Sequence, residues 1–299
     1  MSENNNLKLF DYFVVIDKLG SGSFGDVYVA QTKNKKKLIA VKFEKKSINK
    51  KNRILKEYLI YKNIYAINKS ITINIPKIYG SIETNDYHIL MMELLGPNLE
   101  DLFNNFNRKF KINTVILLAI NLIDLLKRLH LLQYIHRDVK PNNFLIGKGY
   151  KKTELYVMDF GLSKKYIDDN NDHIKFRDNL PLIGTARYIS INIHDGHEPS
   201  RRDDLESVAY ILIYFLKGQL PWQGLKKNLG ANQLEQIKLM KQNINVNDLC
   251  SNLPICFKIY LEYCRHLEFN ETPKYEYLKN LFSEYSRIYN IPLYYEWSN

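Results

Sequence analysis

His136-Arg137-Asp138-Val139-Lys140-Pro141-Asn142-Asn143, followed downstream by Asp159-Phe160-Gly161, is the stretch on which the reading of this chain turns. It holds a proton acceptor (Asp138), a cation (Lys140) and two oxygen donors of the kind magnesium takes, Asn143 and Asp159. Phosphoryl transfer from ATP requires these groups at this spacing. Asp138 is expected to accept the proton of the attacking hydroxyl, and Lys140 to neutralise charge on the transferring phosphate. Asn143 and Asp159 are expected to hold Mg2+ against the nucleotide phosphates. An isolated Arg-Asp pair would read as a chance polar loop. Eight ordered positions with a second motif downstream do not.

Working outward, Gly20-Ser21-Gly22-Ser23-Phe24-Gly25-Asp26-Val27 fits G-x-G-x-x-G-x-V. Glycine-rich turns are common, and dinucleotide-binding folds use a similar fingerprint. The flanks separate the two. Val14, Val15 and Ile16 precede the glycines and Val27, Tyr28 and Val29 follow them, so they join two strands. A dinucleotide fold would put a helix directly after them. A strand-loop-strand flap instead lets a bare backbone approach phosphates closely.

Ile39-Ala40-Val41-Lys42 reads as a third strand, and Lys42 at its end is expected to reach the α- and β-phosphates. Its acidic partner is expected on a helix over residues 53–66, whose inward face reads Ile54, Tyr58, Tyr61 and Tyr65. Glu57, three residues after Ile54 and four before Tyr61, points the same way and is that partner. Ile89-Leu90-Met91-Met92-Glu93-Leu94-Leu95-Gly96 reads as an apolar strand leading into a hinge. Backbone groups from Glu93 to Leu95 are expected to bond the adenine edge. Met92 would wall the pocket, Leu19, Val27 and Ala40 would cover the base, and Leu145 would lie beneath it.

Together these motifs resemble a eukaryotic-type protein kinase over about Asp11 to Trp297. Further stretches are similar to the casein kinase I family. They are Leu19 to Asp26, Met92 to Phe103, His136 to Phe144, Gly184-Thr185-Ala186-Arg187-Tyr188, Ser200 to Ser207, and Pro221-Trp222-Gln223-Gly224-Leu225. Ser190-Ile191-Asn192 stands where most kinases carry Ala-Pro-Glu, as in that family. The resemblance implies an α+β, bilobal kinase fold. A short extension (1–10) precedes a β-rich N-lobe with one main helix (11–95), and a larger α-helical C-lobe follows (96–299). It implies a serine/threonine kinase acting on acidic or phosphate-primed protein segments, with ATP and Mg2+. Arg187, with the backbone of Gly224 and Leu225, matches the family's pocket for a substrate anion. Leu180 and Gln233 depart from it by replacing lysines. A guanidinium binds phosphate by a two-pronged fork.

Composition bounds the rest. A length of 299 residues with 45% hydrophobic content suffices for two lobes around a cleft. The polar start gives no signal peptide, Ser2 argues against myristoylation, and no prenylation motif closes the chain. The apolar runs Val115 to Leu126 and Val208 to Leu216 are too short to span a bilayer and suit buried helices. Cys250, Cys256 and Cys264 read as free packing thiols of a reducing compartment, so a cytoplasmic or nuclear location is expected. The net charge of +11, with basic clusters at Lys33 to Lys37, Lys45 to Arg53, Lys148 to Lys152 and Lys226-Lys227, favours acidic partners. No nucleic-acid motif accompanies it, no membrane anchor is expected, and a monomer is expected.

From Asp168 to Leu182 there is no Ser, Thr or Tyr, so activity without phosphorylation of this loop is expected. The apolar helix beginning near Leu205 follows Arg201-Arg202-Asp203-Asp204. Asp204 either caps it or holds the backbone of the catalytic stretch. The chain ends at Asn299 soon after the last expected helix, so control by a C-terminal tail is not expected. The alternative to an active enzyme is a pseudokinase, a nucleotide-binding scaffold. Loss of Lys42, Asp138, Asn143 or Asp159 would favour it, and all four are present.

Overall fold

The computed structural model describes residues 12–22, 25–34, 36–47, 52–67, 71–225 and 233–298. The 1–10 extension, Ser23, Phe24, Lys226-Lys227 and parts of the other N-terminal basic clusters lie outside them. Two compact units form, Met1–Gly96 with Tyr156–Gly161 and Pro97–Leu155 with Leu162–Asn299. The fold is α+β, with strands concentrated in the first unit and helices in the second.

The first unit is built on an antiparallel sheet ordered β1-β2-β3-β5-β4, from β1 (Phe13–Gly22), β2 (Gly25–Thr32), β3 (Leu38–Lys45), β4 (Ile78–Glu83) and β5 (Tyr87–Glu93). Side chains alternate across a strand. Ile39 and Val41 of β3 therefore join Phe13, Ala30 and Ile89 in a core on one face, with Phe43 and Met91 packed against it. Ala40, Lys42 and Glu44 point to the other face, where α1 (Arg53–Ile67) lies against β4 and β5. Glu44 is buried there and accepts from the N–H groups of Arg53 and Ile54, both at 3.0 Å. Asn52 accepts from Leu55 N–H at 2.7 Å. These oxygens satisfy donors that the first helical turn leaves unpaired.

The buried face of α1 is Ile54, Glu57, Ile60, Tyr61 and Ile64. This corrects the expected tyrosine stripe: Tyr65 is 40% exposed and its hydroxyl donates to the Pro76 carbonyl, and Tyr58 is half-buried. The phenols are amphipathic, so their spacing does not mark the inner face as aliphatic spacing does.

In the second unit, α2 (Leu99–Asn105) is followed by α3 (Ile112–Leu131), α4 (Ile191–His194), α5 (Arg201–Lys217), α6 (Gln233–Asn243), α7 (Val246–Leu249), α8 (Ile255–His266) and α9 (Tyr275–Ile288). α5 packs against α3 and α8, and α9 against α3 and α8. The apolar runs seen in sequence are the cores of α3 and α5: Val115 through Leu129 and Leu205 through Phe215 are mostly fully buried. Among the described residues no helix is long and apolar enough to cross a membrane. Cys250, Cys256 and Cys264 are free and buried, and burial pushes each thiol up, away from reactivity.

α5 begins at Arg201 rather than near Leu205, because Asp203 accepts from Ser200 N–H at 2.7 Å and stabilises an earlier first turn. It stops at Gly218, whose φ of +83° a residue with a side chain would adopt only with strain. Short strands β6 (Tyr134–Ile135) and β9 (Lys164–Lys165) pair in the same unit; β7 (Phe144–Ile146) directly follows Asn143, and β8 (Leu155–Val157) comes between β7 and β9 in the chain.

Candidate active site

In the first unit the face of β3 opposite the core sets the site. Lys42 Nζ donates to Glu57 Oε2 and to Asp159 Oδ1, both at 2.8 Å, and Lys42 and Glu57 are buried. Burial alone would push Lys42 down. The Asp159 and Glu57 carboxylates outweigh it and hold the ammonium charged far beyond its usual range. Burial pushes Glu57 up, Lys42 pulls it back, and the Asp159 charge adds to the rise. One ammonium thus serves two carboxylates that would otherwise repel each other.

Tyr61, one turn after Glu57, is fully buried. Its hydroxyl accepts from Asp159 N–H at 3.3 Å, and its ring meets Phe160 edge-on with centroids 4.8 Å apart. Asp159 has φ of +66°, a strained conformation for a residue other than glycine. α1 therefore supports both ends of Asp159, Glu57 sharing its cation and Tyr61 holding its backbone. The sequence placed Tyr61 on the inward face but gave no signal for the contact with Asp159.

The glycine loop lies between β1 and β2, paired in register Gly20↔Val27, Ser21↔Asp26 and Gly22↔Gly25. Gly25 is required by the fold: φ is +134°, and a Cβ there would lie 1.9 Å from the Phe43 carbonyl oxygen. Gly25→Ala is expected to lower stability by more than about 1 kcal/mol, read as a reduced denaturant midpoint. An unchanged midpoint would show that the loop shifts freely. Gly20 differs, since a Cβ there would meet nothing within 4 Å. The fold gives no steric reason for glycine at that position, which leaves room for phosphates against the backbone.

Ala40 pairs with Met92 across β3 and β5, and both are buried. Val27 is half-buried and Leu19 is 53% exposed. The Glu93 N–H is already given to the Lys77 carbonyl at 2.7 Å. It therefore drops out of the donors expected for adenine, leaving the other backbone groups through Leu95.

In the second unit Asp138 is 3% exposed and both its oxygens are held. Oδ2 accepts from Lys140 Nζ and Oδ1 from Thr185 Oγ1, each at 2.7 Å. Asn143 Nδ2 donates to the Asp138 carbonyl at 2.8 Å, which fixes the amide with its oxygen turned from that bond. Asp204, fully buried on α5, accepts from the N–H groups of His136 (2.7 Å) and Arg137 (2.9 Å) and bonds His130 Nε2 (2.9 Å). Burial would push Asp204 up, but His130 and its other partners hold it below the usual carboxylate range. Of the two roles open to Asp204, the structure shows the hold on the His136 and Arg137 backbone; the acid that completes the capping box with the N-cap Ser200 is Asp203. Leu145, half-buried, follows on β7.

Thr185 opens the strip Thr185 to Ile189, whose carbonyls are tied from behind. Lys241 of α6, with no exposed surface, donates to Ala186 O (2.8 Å) and Ile189 O (2.6 Å). Trp222 Nε1 donates to Arg187 O at 2.8 Å. Lys241 also lies over the rings of Tyr210 and Trp222, and burial drives its pKa well down. In sequence Lys241 is indistinguishable from the many solvated lysines. The Arg187 guanidinium sits over the rings of Tyr188 and Tyr214. Gly224 is exposed with φ of +71°, and Leu225 is half-buried. Leu180 spends its N–H on the Gly196 carbonyl, and Gln233 is exposed at the start of α6.

The family model described as a protein kinase domain matches residues 13–273.

Proposed function

The chain belongs to the protein kinase family, and from that premise we propose a serine/threonine kinase of the casein kinase I type, acting on acidic or phosphate-primed segments. The observation that carries the proposal is the Asp138 carboxylate held by Lys140 on one oxygen and Thr185 on the other. A lysine two residues after the catalytic aspartate goes with hydroxyl amino acids rather than tyrosine by family analogy. In this reading Asp138 accepts the proton of the serine or threonine hydroxyl. Lys140, already 2.7 Å from Asp138, turns its charge to the transferring phosphate. Lys42 orients the α- and β-phosphates, and the backbone of Gly20, Ser21 and Gly25 is assigned to cover them. The carboxylate and amide oxygens of Asp159 and Asn143 suit magnesium, which supplies charge neutralisation when bound. Positioning and electrostatics carry most of the rate, as expected for phosphoryl transfer. Arg187, Gly224 and Leu225 are assigned to the substrate anion.

The test is labelled-phosphate transfer from ATP with magnesium to matched acidic peptides bearing serine, tyrosine, or serine with a phosphoserine three residues earlier. The serine peptides are expected to be labelled and the tyrosine peptide not. Arg187→Ala is expected to remove any advantage of the primed peptide. Labelling of the tyrosine peptide alone would overturn the serine/threonine assignment. ATP binding without transfer to any peptide would favour the pseudokinase.

A further inference from the structure

Glu198 is a carboxylate with 1% exposure that none of the roles above uses. Its Oε1 accepts from Lys164 Nζ at 2.8 Å and its Oε2 from Arg177 Nε at 2.7 Å. Its own N–H donates to the Arg177 carbonyl at 2.8 Å, and Leu180 N–H donates to Gly196 O at 2.8 Å. Lys164 and Arg177 stand at two ends of one loop, so a single carboxylate closes it. Burial would push Glu198 up, but the bonds from Lys164 and Arg177 prevail and it titrates below the usual range.

The closure reaches the catalytic stretch through short links. Lys164 lies on β9, paired with β6, which runs directly into His136. Arg137 Nε donates to the Leu162 carbonyl at 2.7 Å, and Ser163 Oγ to the His136 carbonyl at 3.2 Å. Phosphorylation orders loops of this kind by placing an anion among cations. This loop offers no Ser, Thr or Tyr between Asp168 and Leu182.

We propose that Glu198 is the built-in anion of this loop, a positioning residue that joins Lys164 to Arg177 and keeps the segment before Thr185 ordered without phosphorylation. The proposal rests on the kinase reading for its effect on rate, but the ordering itself is independent of that reading.

The experiment uses Glu198→Gln, Glu198→Ala and Arg177→Met in the full chain. The Arg177 side chain is 59% exposed, so its replacement leaves the core intact. Chymotryptic cleavage at Phe176, which is 49% exposed, reports loop opening, and serine-peptide phosphorylation reports the consequence. Glu198→Gln and Arg177→Met are expected to raise cleavage and lower kcat/KM by about tenfold each, the scale of one lost charge-assisted bond. Inorganic sulfate, added at tens of millimolar by order of magnitude, is expected to restore much of the Glu198→Ala loss by entering between the two cations. A purely structural carboxylate would not show that rescue. Wild-type cleavage and rate in both Glu198→Gln and Arg177→Met would overturn the proposal. So would a Glu198→Ala loss that sulfate leaves untouched while Arg177→Met behaves as wild type. If the wild-type protein transfers no phosphate, the kinase reading fails, and the cleavage comparison still decides the ordering.

Discussion

Asp138→Asn is expected to lower kcat for peptide phosphorylation by about 10²- to 10⁴-fold, the contribution of a positioned general base. The amide keeps the shape of the carboxylate, so ATP binding should persist. It does not keep the bonds: one of the two donors now on Asp138, Lys140 Nζ or Thr185 Oγ1, would face an NH2 group. The Thr185 hydroxyl can rotate to accept instead, and Lys140 is partly exposed and can turn to solvent. The stability cost should therefore be about 1 kcal/mol. Steady-state kinetics with a melting curve separate the two effects. A kcat close to wild type would show that Asp138 is no base. A collapse of the melting temperature would show that the carboxylate holds the loop rather than reacting.

Asp204→Ala should instead damage folding and rate together. The carboxylate has 2% exposure and holds the backbone N–H groups of His136 and Arg137 and the ring of His130. Removing it leaves buried donors without acceptors, at a cost of about 3–5 kcal/mol. The two backbone donors directly precede Asp138, and Arg137 has φ of +66°, so a strained loop loses its anchor next to Asp138. Chemical denaturation should show a large fall in midpoint, and the fraction that stays folded should turn over slowly. A variant with wild-type stability would mean that the carboxylate is replaceable by water. Asp203→Ala provides the comparison: it should weaken the start of α5 through Ser200 N–H and Ser190 Oγ, with less effect on kcat.

Legibility differs from residue to residue. The two strands around the glycine loop, the Lys42 strand and the buried α3 and α5 were readable because they depend on local propensity and apolar runs. The pairing of Lys42 with Glu57 was also readable. Alternation fixes the face of β3 on which Lys42 lies, and helical spacing fixes the side of α1 on which Glu57 lies. Tyr58 and Tyr65 misled, since a phenol is at home on either side of a helix.

By itself the sequence determined the kinase fold and the elements that carry its motifs, because these rest on short-range pattern and on motifs with little tolerance. Only the tertiary structure decided which of two adjacent aspartates completes the capping box of α5 and which holds the His136 and Arg137 backbone. It alone drew Glu198, Lys241 and Tyr61 from an unremarkable background. A charged or phenolic side chain carries no sign of its partner in its own identity. That partner is set by whatever the rest of the chain packs against it, and a carboxylate kept from water must find its cation there.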